Sequence, residues 1–305
     1  GVFREAPVVR YAFIHREVGT FPVKTQCRVL EVTEQGYYKW CRTNKSARVK
    51  SNQKLLVKIR RIFLQHKRRY GSPRIFRTLK KSGVKCGENR VARLMREDGL
   101  RAKAARKFKV TTDSWRSKRI PAENILNREF YPAAPNKIWC GDITYIWTDE
   151  GWVYLAVFMD LYSRKIVGWA TSKSLKRELV LCAFNQAVKI RNPGPQLIVH
   201  TDRGSQYTSD EFVSALDGFT LSMSRKGNCW DNAVVESFFN TLKTEEIRGF
   251  RLRTRWELQR LLEEYIDRYY NVLRMHSTLD YLSPREYERN RKSKNSGEGV
   301  SPLAE

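Results

Sequence analysis

Three acidic residues stand in settings where an acid is out of place. Asp142 interrupts the apolar, β-prone run Ile138 to Trp147, and a charge within such a strand is unfavourable unless something pairs with it. Asp202 follows Leu197-Ile198-Val199, at the point where a buried strand ends. Glu236 lies mid-helix, in a register that puts Val235, Phe238, Phe239 and Leu242 near one apolar stripe. Two strand positions and a helix converging with three carboxylates would repel one another without a cation. A hard, oxygen-seeking ion such as Mg²⁺ or Mn²⁺ is the natural partner. Asp149, Glu150 and Asp160 are rival acids, but they fall in turns, which attract acids for reasons of solvation.

The elements that must position the three follow from periodicity. A strand runs through Asp142, turns at Thr148 to Gly151, returns over Trp152 to Phe158, turns at Asp160 to Ser163 and continues over Lys165 to Ala170. Tight turns between consecutive strands predict an antiparallel meander. A helix near 176–191, the Asp202 strand, a helix from about 209, a strand near 219–223 and the Glu236 helix complete the order. Leu258, Leu261, Leu262, Tyr265 and Tyr269 mark one further amphipathic helix over 254–271, and the polar tail from 291 reads as disordered.

The N-terminal part is different in kind. The chain has 305 residues, 41% of them apolar, and a net charge of +26. Residues 1–130 hold 34 Lys and Arg against 10 Asp and Glu, whereas residues 131–305 hold 24 against 22. The basic excess therefore belongs to one half, and it points to a polyanionic partner. Residues 22 to 43 read as two short helices about a turn at Glu31 to Thr33, and residues 54 to 99 as three helices broken at Gly71-Ser72-Pro73 and Lys85-Cys86-Gly87. Both resemble helix-turn-helix modules. Lys58 and Arg61 lie on the polar side of the first long helix, and Arg90, Arg93 and Arg96 recur at i, i+3, i+6 of the last, suited to phosphates. Arg106 and Lys107 lie within a basic stretch over 101–119 that could lie along a phosphate backbone. Six cysteines without a C-x-x-C pair, with only four histidines, argue against a zinc knuckle. They read as reduced thiols of a cytoplasmic protein. No signal peptide or membrane-length apolar run appears, and a first residue of Gly rather than Met points to a fragment or processed product.

The phrases Trp139-Cys140-Gly141-Asp142-Ile143-Thr144-Tyr145, His200-Thr201-Asp202-Arg203-Gly204-Ser205-Gln206-Tyr207 and Arg225-Lys226-Gly227-Asn228-Cys229-Trp230-Asp231-Asn232-Ala233 make the resemblance specific. With Tyr270 to Ser277 and Leu282-Ser283-Pro284 they resemble the second-frame portion of the IS-three family of insertion-sequence transposases, within the Asp-Asp-Glu superfamily that includes retroviral integrases. Between Asp202 and Glu236 stand 33 residues, two fewer than is usual in that family, and the shortening is expected at the helix-to-strand turn Ala215 to Phe219. The resemblance implies helix-turn-helix modules followed by a ribonuclease-H-like α/β core with a mixed five-stranded sheet. The expected divisions are 1–50 and 51–108 (helix-turn-helix), 109–132 (basic linker), 133–290 (catalytic core with C-terminal helices) and 291–305 (tail).

It also implies chemistry. Asp142 would bridge two Mg²⁺ ions, with Mn²⁺ able to substitute, while Asp202 and Glu236 hold one each. In-line phosphoryl transfer would use water to cleave DNA 3′ ends and a 3′-hydroxyl to join them. Lys243, seven residues after Glu236 on the same helical face, is expected to touch end DNA. Asn232, four before it, is expected either there or in a helix-start hydrogen bond. Arg248, Arg251 and Arg253 offer weak, sequence-blind contacts. The implied partners are double-stranded DNA, as terminal inverted repeats and target, and at least one further copy of the chain. The family pattern adds a bacterial, nucleoid-associated setting, an upstream-frame segment before Gly1 and a copy-out route through a circle. A nuclease of the same fold and a non-catalytic DNA-binding regulator are the rivals, and only a transposase joins two DNA ends.

Overall fold

The computed structural model describes residues 5–44, 47–103, 122–127, 129–225 and 229–295. The expected DNA contacts Arg106 and Lys107, most of the basic linker and the last ten residues lie outside the described residues. The chain divides into two compact units, 1–102 and 103–305.

Unit one is helical. α1 (Pro7–Arg16), which the sequence pattern did not announce, joins α2 (Val23–Val29) and α3 (Glu34–Asn44) around Ile14, Cys27, Leu30 and Tyr37. The second trio is α4 (Ala47–Gln65), α5 (Ser72–Lys81) and α6 (Glu88–Glu97). Their buried Leu55, Ile59, Ile75, Leu79, Val91 and Leu94 repeat at helical spacing, the pattern that puts one stripe into a shared core. Pro73 in the first turn of α5 sits where a missing N–H costs nothing.

Unit two is built on a five-stranded sheet in the order β3-β2-β1-β4-β5. β1 (Ile138–Thr148), β2 (Gly151–Asp160) and β3 (Lys165–Ser172) form the expected antiparallel meander, and β4 (Ile198–Thr201) and β5 (Thr220–Met223) extend it in parallel. The sheet is thus mixed, with β1 at its centre. α7 (Arg177–Arg191) and α8 (Asp210–Ala215) contribute Leu179, Ala183, Phe184 and Phe212 to a core with Trp139, Ala156 and Phe158. α9 (Ala233–Leu242) contacts β1. Residues 216–219 form the turn between α8 and β5, where Gly218 has φ +82°, a region that favours glycine.

Sequence periodicity misjudged three places. The helix expected over 254–271 is α10 (Arg255–Glu263) followed by a π-helical stretch Glu264–Tyr270, and α9 likewise passes into a π-helical turn Lys243–Ile247. α11 (Pro284–Asn295) runs past residue 291, so the polar tail is not irregular from there. Residues within the expected linker also pack on the core. Leu126 is buried, Met223 N–H donates to Glu123 O (3.1 Å), and Ile125 N–H donates to Ser222 Oγ (3.0 Å).

Candidate active site

Register places the two aspartates side by side. β1 and β4 are parallel with Cys140 opposite His200. Two residues further along each strand direction stand Asp142, within β1 just past its pairing with β4, and Asp202, just beyond the carboxyl end of β4. Gly141 lets this happen, because a Cβ there would stand 2.5 Å from the Phe158 ring that fills the core beside it. Asp142 accepts the Ile143 N–H at Oδ1 (2.8 Å), and Asp202 accepts the Gly204 N–H at Oδ1 (3.0 Å). Gly204 is again a close approach, since a Cβ would lie 3.0 Å from that same oxygen.

α9 brings the third acid. Its start is tied to β1 by Asn232, which is buried and donates from Nδ2 to Gly141 O (3.3 Å). Glu236 follows one turn later, its side chain exposed. Burial first, then Asp202 and Glu236, push the Asp142 carboxyl well above the usual carboxylate range. Asp202 and Glu236 are raised as well, chiefly by the apolar body of the core behind them. None of the three forms an ion pair or a hydrogen bond to a basic side chain among the described residues. The buried Tyr207 hydroxyl also lacks a hydrogen-bond partner, and burial first, then the fields of Asp142 and Asp202, hold its proton on. Among the described residues no trio of His, Cys, Asp or Glu is closed up at metal-ligating spacing. Carboxylates with nothing between them repel, and the donor chemistry, all hard oxygen, suits a divalent cation.

Behind the site lies a network that the sequence pattern did not reveal. Ser222 Oγ accepts the Ile125 and Leu126 N–H groups, which leaves its own proton for His200 Nδ1 (2.9 Å). That assigns the imidazole proton to Nε2, 3.2 Å from Ser224 Oγ. Burial pushes His200 down to about 4, so the ring is neutral. Buried Asp231 accepts from Asn124 Nδ2 (2.7 Å) and from Arg225 N–H (3.0 Å), fixing the approach to α9. Further off, Asn271 clamps the backbone of Ile166 with two hydrogen bonds of 2.9 Å. Arg274 pairs with Glu245 at 2.7 Å, both buried.

The remaining expected residues separate. Lys243 opens the π-helical turn, stands 5.0 Å over the Tyr145 ring, and lies within the field of Asp142. Burial, then Arg248, lowers its affinity for a proton. Asn232 is buried against β1 and makes no side-chain cap bond at the start of α9, so the expected helix-start hydrogen bond is replaced by one to the strand. In unit one, Lys58, Arg61 and Arg96 are exposed. Arg90 is committed to Asn52 Oδ1 and Ser51 Oγ (both 2.8 Å), tying α6 to α4, and Arg93 pairs with Glu97 (2.8 Å). Asp160 is no solvated turn acid. It is buried and accepts from Asn136 N–H and Arg191 Nη2. Asp149 and Glu150 bond Arg251 and Arg255.

Residues 132–229 match an integrase core domain family, residues 217–284 a second integrase core domain family, and residues 50–108 an HTH-like domain. Fold and sequence together define a protein with a ribonuclease-H-like integrase core preceded by a helix-turn-helix-like module. Transposase InsF for insertion sequence IS3A of Escherichia coli (strain K12) is 42% identical over 285 residues, covering 92% of this chain and 98% of that one. The transposase for insertion sequence element IS904 of Lactococcus lactis is 47% identical over 237 residues, covering 77% and 93%. The chain belongs to the IS3 family of insertion-sequence transposases. Among solved structures, a chain of the simian T-cell lymphotropic virus intasome aligns with TM-score 0.46 and 21% identity, over 61% of this chain and 63% of that one. The HTLV-2 integrase catalytic core domain in complex with magnesium gives 0.38 and 20%, over 51% and 98%. Among the described residues no helix is long and apolar enough to cross a membrane.

Proposed function

We propose that Asp142, Asp202 and Glu236 are the catalytic acids of this transposase and that they hold divalent metal, two Mg²⁺ ions with Mn²⁺ able to substitute. One observation carries the reading. Asp142 is held at the centre of the sheet, beside Asp202, in a field of like charge with no basic side chain bonded to it. Bound there, such ions supply Lewis-acid stabilisation of the attacking and leaving oxygens of a phosphodiester. The chain's own part is placement. β1 and β4 fix two carboxylates in register, Asn232 fixes the helix that carries the third, and the Phe158 core keeps water from behind the sheet.

Reaction on a terminal-repeat end is cleavage to a 3′-hydroxyl followed by joining of that hydroxyl to DNA, through a copy-out circle. Lys243 contacts the end DNA beside the acids. Lys58, Arg61 and Arg96, with Arg106 and Lys107, contact phosphates. Arg90 and Arg93 join them only by leaving their present partners. Two ends require at least two copies of the chain, working in the bacterial cytoplasm at the nucleoid. The domain boundaries proposed are those of the sequence reading, with residues 122–132 assigned to the core.

Asp142→Asn, Asp202→Asn and Glu236→Gln are each expected to abolish cleavage and joining of end DNA in Mg²⁺ while leaving end binding in place. Near-parental joining by any one of them removes that residue from the set. If the parent itself binds ends but joins none under any divalent ion, the regulator reading replaces this one.

A further inference from the structure

Beside the acids lies a cleft whose lining differs from a phosphate-binding surface. It occupies about 630 Å³ between the outer part of β1 and the segment 247–252, within the size range of small-molecule sites. Tyr145 and Trp147 project into it and are 54% and 55% exposed, and Phe250 across the cleft is 60% exposed. Trp152 buttresses both β1 rings edge-on, at 5.2 Å from Tyr145 and 5.0 Å from Trp147. The rings are therefore held in place before anything binds. Between them stand cations. Lys243 lies over Tyr145, Arg248 and Arg251 line the opposite wall, and the one acid of the lining, Asp149, is paired with Arg251 at 3.0 Å.

Exposed aromatic faces interleaved with Lys and Arg are the composition that holds unpaired nucleotides, with bases on rings and phosphates on cations. A duplex offers stacked bases and cannot use such faces. A protein surface would find the cations uncompensated. Lys243 lies over Tyr145 and within the field of Asp142, so one cation joins the cleft to the acids. We infer that this cleft receives an unpaired base at the DNA end, stacked on Tyr145 and Trp147, and thereby holds the terminal base pairs open at the acids. The inference rests on the proposed end-cleaving function.

The test uses the full chain and two forms of one terminal-repeat duplex, blunt or with the last three nucleotides of one strand unpaired. The parent is expected to prefer the unpaired form. Trp147→Ala and Tyr145→Ala are expected to reduce that preference by roughly 5- to 150-fold, the range of a single base–ring stack. Trp147→Phe should retain most of it, which separates stacking from misfolding, and affinity for the blunt duplex should change little. An unchanged preference in both alanine variants overturns the inference. So does a variant that loses self-association in sedimentation with its preference intact, which would assign the rings to a contact between copies. Joining by the parent in Mg²⁺ is measured alongside. Joining without the preference sinks the cleft alone, and preference without joining sinks the enzymatic reading.

Discussion

Gly141→Ala tests how the core holds Asp142. The added methyl would lie 2.5 Å from Phe158 Cε1 and 3.0 Å from Cδ1 and Cζ. Carbon atoms in contact prefer about 3.5–4.0 Å, so the ring must retreat by about 1 Å. It has nowhere to go. Phe158 is fully buried, with ring centroids of Phe184, Phe212 and Tyr207 at 5.4, 6.3 and 6.4 Å, and packed interiors offer few voids. Overpacking of this kind costs about 1–3 kcal/mol. In a unit of about 200 residues each kcal/mol lowers Tm by about 2–4 °C, so a fall of about 2–12 °C is expected. Relief can also come from β1 shifting, which carries Asp142 with it, and a displacement of about 1 Å at a reacting group costs about 100-fold in rate. Thermal melting and Mg²⁺-dependent joining are the assays. Phe158→Leu, destabilising alone, should partly rescue Gly141→Ala, with a coupling of about 0.5 kcal/mol or more. Melting of Gly141→Ala within about 1 °C of the parent, with parental joining, refutes the reasoning.

Arg274→Met removes the guanidinium from buried Glu245 and should destabilise by about 3–5 kcal/mol in denaturant unfolding; a loss under about 1 kcal/mol would contradict the pairing. His200 has its proton affinity lowered by burial, from 6.5 to about 4, so the unfolded chain takes up a proton that the fold refuses. Its contribution is complete above about pH 6.5 and is lost as pH falls toward 4. The stability gap between parent and His200→Gln should therefore shrink by about 2 kcal/mol from pH 7.5 to pH 5, and a constant gap would place the proton elsewhere. A fragment beginning at residue 122 should melt higher than one beginning at 131, because only the first keeps the Glu123 and Ile125 bonds to β5. Both should lose nearly all of the basic excess, and with it the steep salt dependence of DNA binding, about 0.9 in slope per phosphate contact.

The strands, the order of elements and the α9 register were legible because each is written in local periodicity. Alternation over Ile138 to Trp147, the turn at Asp149-Glu150-Gly151 and the stripe Val235, Phe238, Phe239, Leu242 need no partner to be read. What escaped was set by distant partners. The π-helical turns at 243–247 and 264–270 continue a helical pattern, so periodicity cannot distinguish them. Asp160 looked like a turn acid until Arg191 and Asn136 closed on it. The His200–Ser222–Ile125 network joins residues about 100 apart in sequence. Asn271 and Arg274 belong to phrases quoted for the family likeness, yet their bonds run to β3 and to Glu245. Of the arginines at i, i+3, i+6, spacing gave the face but not the partners Asn52, Ser51 and Glu97.

Metal ligation by Asp142 is tested most directly by Asp142→Cys, assayed for joining of a pre-cleaved end in Mg²⁺ and in Mn²⁺. A thiolate is a poor ligand for Mg²⁺ and a better one for the softer Mn²⁺. No joining in Mg²⁺ with measurable joining restored in Mn²⁺, while Asp142→Asn stays inactive in both, is the expected result. Near-parental joining in Mg²⁺ by Asp142→Cys or Asp142→Asn would show that the carboxylate is not a ligand and that the centre of the sheet is not where the phosphodiester reacts.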